Sequence, residues 1–151
     1  MAAISRTFPN ILTDDVAGTR DFYVDLLGLH VGFDSDWFVN LNDAHAPTCE
    51  IGIWRRDHEL IPAEFRHAPA GTVISFVVDD VDAVHEDAVA RGLSIVAPPR
   101  NLFYGQRQML LTDPNGMLVD ISTPNEMAPE FAARLVEDNG TYRERRDGTQ
   151  P

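Results

Sequence analysis

A single cysteine, Cys49, stands in the 151-residue chain, so no internal disulfide can form and nothing points to an oxidising compartment. Cys49 lies in an apolar run and reads as a buried small hydrophobe rather than a nucleophile. Basic residues are also scarce. Twelve Lys and Arg against 24 Asp and Glu leave a net charge of −12, which argues against nucleic acid, whose binders carry a positive footprint. The same balance favours cationic ligands, although the acid is spread along the chain, serves solubility and marks no site. No stretch approaches the roughly 20 consecutive apolar residues of a membrane helix, so no membrane partner is expected. The opening Met-Ala-Ala-Ile-Ser-Arg lacks the charged and apolar regions of a signal peptide, and the expected location is the cytoplasm. A Gly-rich phosphate loop, a Gly-x-Gly dinucleotide turn, a Ser-centred nucleophile elbow and a zinc-type Cys pattern are all missing.

What is present is enough apolar material for a core, 44% of residues, at a length that suits one domain over 1–151. That domain contains a repeat. Asp14-Asp15-Val16 and Asp79-Asp80-Val81 are offset by 79 − 14 = 65, and Gly28-Leu29 and Gly92-Leu93 by 92 − 28 = 64. Each unit opens with a strand-like run, Phe8 to Thr13 and Val73 to Val78, that ends in an Asp pair suited to capping a helix. Val16, Thr19, Tyr23 and Leu26 then recur at helical spacing, as Val81, Val84, Ala88 and Arg91 do less cleanly, before a glycine closes each helix. Three strands should follow in each half, at about 30–34, 36–42 and 48–54, then 94–97, 105–112 and 117–122. Asp113-Pro114-Asn115-Gly116 is a turn between the last two. Unit one thus spans about 6–54, a charged connector 55–71, unit two about 72–123, and a tail 124–151 with a short helix near Glu130 to Val136 and a polar end at 139–151.

The segments DDVAGTRDFYVDLLGL, FVVDDVDAVHEDAVARGL and YGQRQMLLTDPNGMLVDI, in that order and spacing, resemble the vicinal-oxygen-chelate superfamily of glyoxalases, bleomycin-resistance proteins and extradiol dioxygenases over about residues 7–123. The resemblance implies an α+β fold in which two tandem βαβββ units form a cupped mixed sheet around a small-molecule cavity. It also implies a homodimer. Metal-dependent members of that superfamily take ligands from the first and fourth strands of each unit. Those positions fall here on Phe8, Val73, Glu50 and Asp120, so only the two carboxylates could bind a metal. Such a pair suits a hard, weakly held divalent cation, whereas redox iron wants two His with a carboxylate and zinc wants nitrogen or sulfur. No tightly bound cofactor is expected. His30, His45, His58, His67 and His85 all miss the ligand positions and read as surface histidines, with His67 placed to fold over the cavity.

Strand alternation extends the site. Phe8, Asn10, Leu12, Val73, Ser75, Val77, Thr48, Glu50, Gly52, Trp54, Leu118, Asp120 and Ser122 share one parity and should face the cavity. Ile11, Ile74, Phe76, Val78, Ile51, Ile53, Val119 and Ile121 share the other and should pack under the helices. Tyr104 and Arg107 of Phe-Tyr-Gly-Gln-Arg resemble the family's cavity rim, Tyr104 to stack and Arg107 to hold an anionic oxygen. Trp37 and Phe38 are adjacent on one strand and should face opposite ways, one into the pocket. Arg55 to Leu60 should be a solvated loop. Two functions fit. One is a metal-free protein that sequesters an aromatic or partly cationic small molecule. The other is a lyase, isomerase or group-transfer enzyme using Glu50 and Asp120 with a weak metal or as an acid–base pair.

Overall fold

The computed structural model describes residues 3–47 and 49–134; Thr48 and the tail beyond 134, where parts of the expected cavity face and terminal helix fall, lie outside the described residues. The described residues form two units: 3–72 with 113–117, and 73–112 with 118–134. Each is a βαβββ unit.

The first unit contains β1 (Asn10–Thr13), α1 (Val16–Leu27), β2 (His30–Asp34), β3 (Phe38–Asn42) and β4 (Glu50–Arg55) in the strand order β1-β4-β3-β2. β1 runs parallel to β4, pairing Asn10 with Gly52 and Leu12 with Trp54. β3 and β4 are antiparallel, pairing Phe38 with Trp54, Asn40 with Gly52 and Asn42 with Glu50. α1 starts where expected because the Asp15 carboxylate accepts the Gly18 amide at 2.9 Å, satisfying one orphan donor of the first turn. It stops at Gly28, whose φ of 67° is left-handed and whose amide donates to Val24 O. Val16, Thr19, Tyr23 and Leu26 are its buried face, set against Ile11, Val39, Leu41, Ile51 and Ile53 of the sheet. Each of those aliphatic side chains contributes about 1.5–3 kcal/mol by leaving water.

The second unit repeats the plan with β5 (Val73–Val77), α2 (Val81–Ala90), β6 (Ile95–Leu102), β7 (Tyr104–Thr112) and β8 (Leu118–Met127), in the order β5-β8-β7-β6. Asp80 caps α2 by accepting from the Asp82 and Ala83 amides. Val81, Ala88, Met109, Leu111, Val119 and Ile121 are its buried core. Ile74, Phe76 and Val78, expected beside them, are only half-buried. A four-residue helix, α3 (Pro129–Ala132), follows.

Several expectations are corrected. β6 runs on through Pro98 and Pro99 because it is an edge strand, and its register with β7 shifts between Ala97 and Arg100. Cys49 is exposed, since it lies in the loop before β4, where alternation does not apply. By contrast, the stretch after Arg55, which ends β4, is the exposed loop expected, with Asp57, Glu59 and Leu60 at the surface and Arg56 paired to Asp14. No helix among the described residues is long and apolar enough to cross a membrane.

Candidate functional site

The residues that concentrate recognition chemistry share one face of the first unit's sheet. Because Asn10, Gly52 and Asn40 are register partners, their neighbours two residues along form rows on the same side. One row carries Leu12, Trp54 and Phe38; the opposite end carries Glu50 and Asn42. Gly52 is the floor between them. A methyl group there would overlap Asn10 Oδ1 and lie 3.2 Å from Phe38 Cε2, so a side chain at this position would displace what covers it.

The row containing Trp54 is aromatic. Trp37 lies 5.8 Å from Trp54 between ring centroids, Phe38 lies 5.9 Å from Trp54, and Phe33 lies 6.0 Å from Phe38. His58 stacks on Trp37 at 4.3 Å and 20°. Trp37 and Phe38 therefore do not face opposite ways. Trp37 precedes the first residue of β3, outside the pleat that would alternate it, and both rings join the Trp54 cluster. Trp54 Nε1 is buried without a hydrogen-bond partner among the described residues, whereas His58 Nδ1 accepts the Leu60 amide at 3.3 Å.

The other end is polar. Glu50 is held by Arg6, whose Nε donates to Oε1 at 2.7 Å and whose Nη2 donates to Oε2, and by Asn40 Nδ2, which donates to Oε2 at 2.9 Å. The guanidinium also lies 4.5 Å from the Phe8 ring centroid. These hydrogen bonds, the Arg6 ones first, hold the Glu50 carboxyl down at about 2 against the opposing effect of burial. Glu50 is thus a carboxylate with both oxygens engaged, not an open metal ligand or a poised proton carrier.

The second unit holds the remaining candidates. Ser75 is the register partner of Asp120 and its hydroxyl donates to Oδ2 at 3.0 Å, while Asp120 Oδ1 is buried and has no hydrogen-bond partner among the described residues. Val73 is half exposed. Tyr104 accepts from Gln108 Nε2 at 3.0 Å, and its ring meets Phe103 edge-on. Arg107 does not share a face with Asp120. It pairs with Thr123, one residue out of phase, and its guanidinium forms a two-pronged pair with Asp82 at the start of α2, both contacts at 2.7 Å, and reaches Asn101. Arg107 thus lines a cleft of about 300 Å³ on the helix side, matched in the first unit by one of about 370 Å³ around Arg20 and Arg55. Both clefts are lined by ion-paired side chains and are not where the aromatic residues gather.

A metal of the kind many superfamily members carry does not fit these donors. Phe8 and Val73 offer no lone pair, and Glu50 is already engaged. Among the described residues no group of three or more His, Cys, Asp or Glu is placed to hold an ion. Alternation in the sequence misses Arg6, Asn40, Phe33 and His58. Arg6 shares parity with Phe8 and Asn10, and Asn40 with Phe38, so extending the count one step would have found both.

No curated protein matches the chain. Solved structures do. A glyoxalase/bleomycin resistance protein/dioxygenase family enzyme from Burkholderia phytofirmans PsJN is 25% identical with a TM-score of 0.68, over 78% of this chain and 96% of that one. A superfamily member from Sphaerobacter thermophilus DSM 20745 is 24% identical, with a TM-score of 0.66 over 80% and 98%. TnmS3, an antibiotic-binding protein from Streptomyces sp. CB03234, is 22% identical, with a TM-score of 0.65 over 83% and 99%. The duplicated βαβββ plan, these shared folds and a family model that matches residues 4–121 agree: the chain belongs to the glyoxalase/bleomycin resistance protein/dioxygenase superfamily.

Proposed function

We propose that the chain binds a planar aromatic small molecule on the sheet face of its first unit, without a tightly held transition metal, and sequesters it rather than transforming it. The observation that carries this reading is the grouping of Trp37, Phe38, Trp54 and His58 beside a carboxylate that Arg6 and Asn40 already occupy. Aromatic side chains supply large, rigid stacking surfaces, while an engaged carboxylate supplies neither an open coordination position nor a mobile proton. TnmS3, an antibiotic-binding protein, shares the fold. The cationic half of the expected ligand loses support, because the charge of Glu50 is already cancelled. A cytoplasmic homodimer is the expected setting, and light scattering on the purified protein checks the stoichiometry.

The chain has two tryptophans, both in the cluster, so its tryptophan emission reports on this face alone. Titration with a library of aromatic compounds should give saturable quenching. Elemental analysis after incubation with Ni²⁺, Mn²⁺, Zn²⁺ and Fe²⁺ should find no stoichiometric metal. Metal that is bound by the native protein and lost in Glu50→Gln would overturn the reading.

One observation favours the enzyme reading. Asp120 Oδ1 is a buried acceptor with no partner among the described residues, which a ligand proton or hydroxyl could satisfy. Turnover of a dicarbonyl or epoxide that Asp120→Asn abolishes, with the fold intact, would put that reading first.

A further inference from the structure

Resting on the binding reading above, we infer that the polar end of this face recognises an acceptor oxygen of the ligand, a carboxylate or carbonyl, through Arg6, and that it disfavours cations. A guanidinium has five N–H donors, and the two directed at Glu50 leave 5 − 2 = 3 for other acceptors. The Arg6 side chain is 56% exposed, whereas that of Glu50 is 8% exposed, so an incoming group meets the guanidinium and not the carboxylate. Glu50 and the Phe8 ring fix the plane of the guanidinium, which pre-organises its outward edge for an oxygen. The aromatic row and Arg6 sit at opposite ends of the same face, on either side of the Gly52 row. The ligand class is therefore an aromatic ring joined by a short arm to an oxygen acceptor. The net charge of −12 acts against an anion at long range, but it is screened over about 8 Å at physiological salt, while Arg6 acts at contact.

The test uses three probes that differ only in the group on the arm: 3-(2-naphthyl)propanoate, its primary amide and 3-(2-naphthyl)propylammonium, each titrated against the tryptophan emission of the full chain. The propanoate and amide should bind about tenfold more tightly than the ammonium, the scale of one charge-assisted hydrogen bond. Arg6→Ala uncovers Glu50 and should reverse the order, with far-ultraviolet circular dichroism confirming that the variant folds. Tightest binding of the ammonium by the native chain, or an order unchanged by Arg6→Ala, would overturn the inference while leaving ligand binding in place. Quenching by none of the three would overturn it together with the binding reading.

Discussion

Arg6 and Glu50, 44 residues apart in sequence, form a two-pronged ion pair at the start of β4, an inner strand of the first sheet, with Arg6 Nε donating to Glu50 Oε1 at 2.7 Å. The pair places the Glu50 pKa near 2 in the folded chain against an ordinary 4.5. A depressed carboxyl pKa stabilises the fold above the ordinary value, and that contribution disappears as the pH falls toward the folded one. Glu50→Gln should therefore flatten the melting temperature profile between pH 4.5 and 2 relative to the native chain. Parallel profiles over that interval, measured by circular dichroism, would show that the pair adds nothing to stability.

Tyr23 donates its hydroxyl to Asp113 Oδ2 at 3.1 Å, inside a network in which Asp113 Oδ1 accepts the Asn115 and Met117 amides and Asn115 bridges to Thr13 and Thr19. Burial, then the adjacent carboxylate, pushes the Tyr23 phenol far above 10. A raised phenol pKa gives stability that is fully present below pH 10 and fades as the pH climbs toward the folded value. Tyr23→Phe should cost about 1–2 kcal/mol in urea denaturation, since Asp113 keeps its other donors. The native chain and the variant should also show the same phenolate absorbance around pH 10; a smaller signal in the variant would mean that Tyr23 ionises normally.

The overlap of a Gly52 methyl group with Asn10 Oδ1 makes a double-mutant cycle informative. Gly52→Ala should destabilise by less than about 1 kcal/mol, because the conflicting atom ends an exposed side chain that can turn aside. In the Asn10→Ala background much of that cost should vanish, because the atom in conflict is gone. Additive effects would place Asn10 elsewhere in solution.

Arg107 is committed to Asp82 and Asn101 on the helix side of the second unit. Arg107→Ala should leave the affinity for an aromatic ligand unchanged, as read by tryptophan quenching. A clear loss of affinity would return Arg107 to the binding face.

Much of the architecture is legible without coordinates, because it depends on short-range chemistry. Asp15 and Asp80 cap their helices where the repeat puts them, since an N-cap needs only a side-chain oxygen two or three residues ahead of an orphan amide. Ile11, Ile51, Ile53, Val119 and Ile121 are buried as alternation requires, because a strand has only two faces. The superfamily follows from the same local signals in order.

The partners of the site residues are not legible, because parity names a face but not a neighbour. Only the parallel pairing of β1 with β4, with the chain before β1 running alongside, brings Arg6 to Glu50 and converts an expected open ligand into an occupied one. The start of β3 at Phe38 decides that Trp37 escapes alternation and joins Trp54 and His58. The register of β7 with β8 turns Arg107 toward Asp82, although its motif suggested a cavity rim. Local sequence thus determined the helix ends, the buried faces of β1, β4 and β8, and the repeat. Long-range register alone decided which charges are spent on each other and which remain for a ligand.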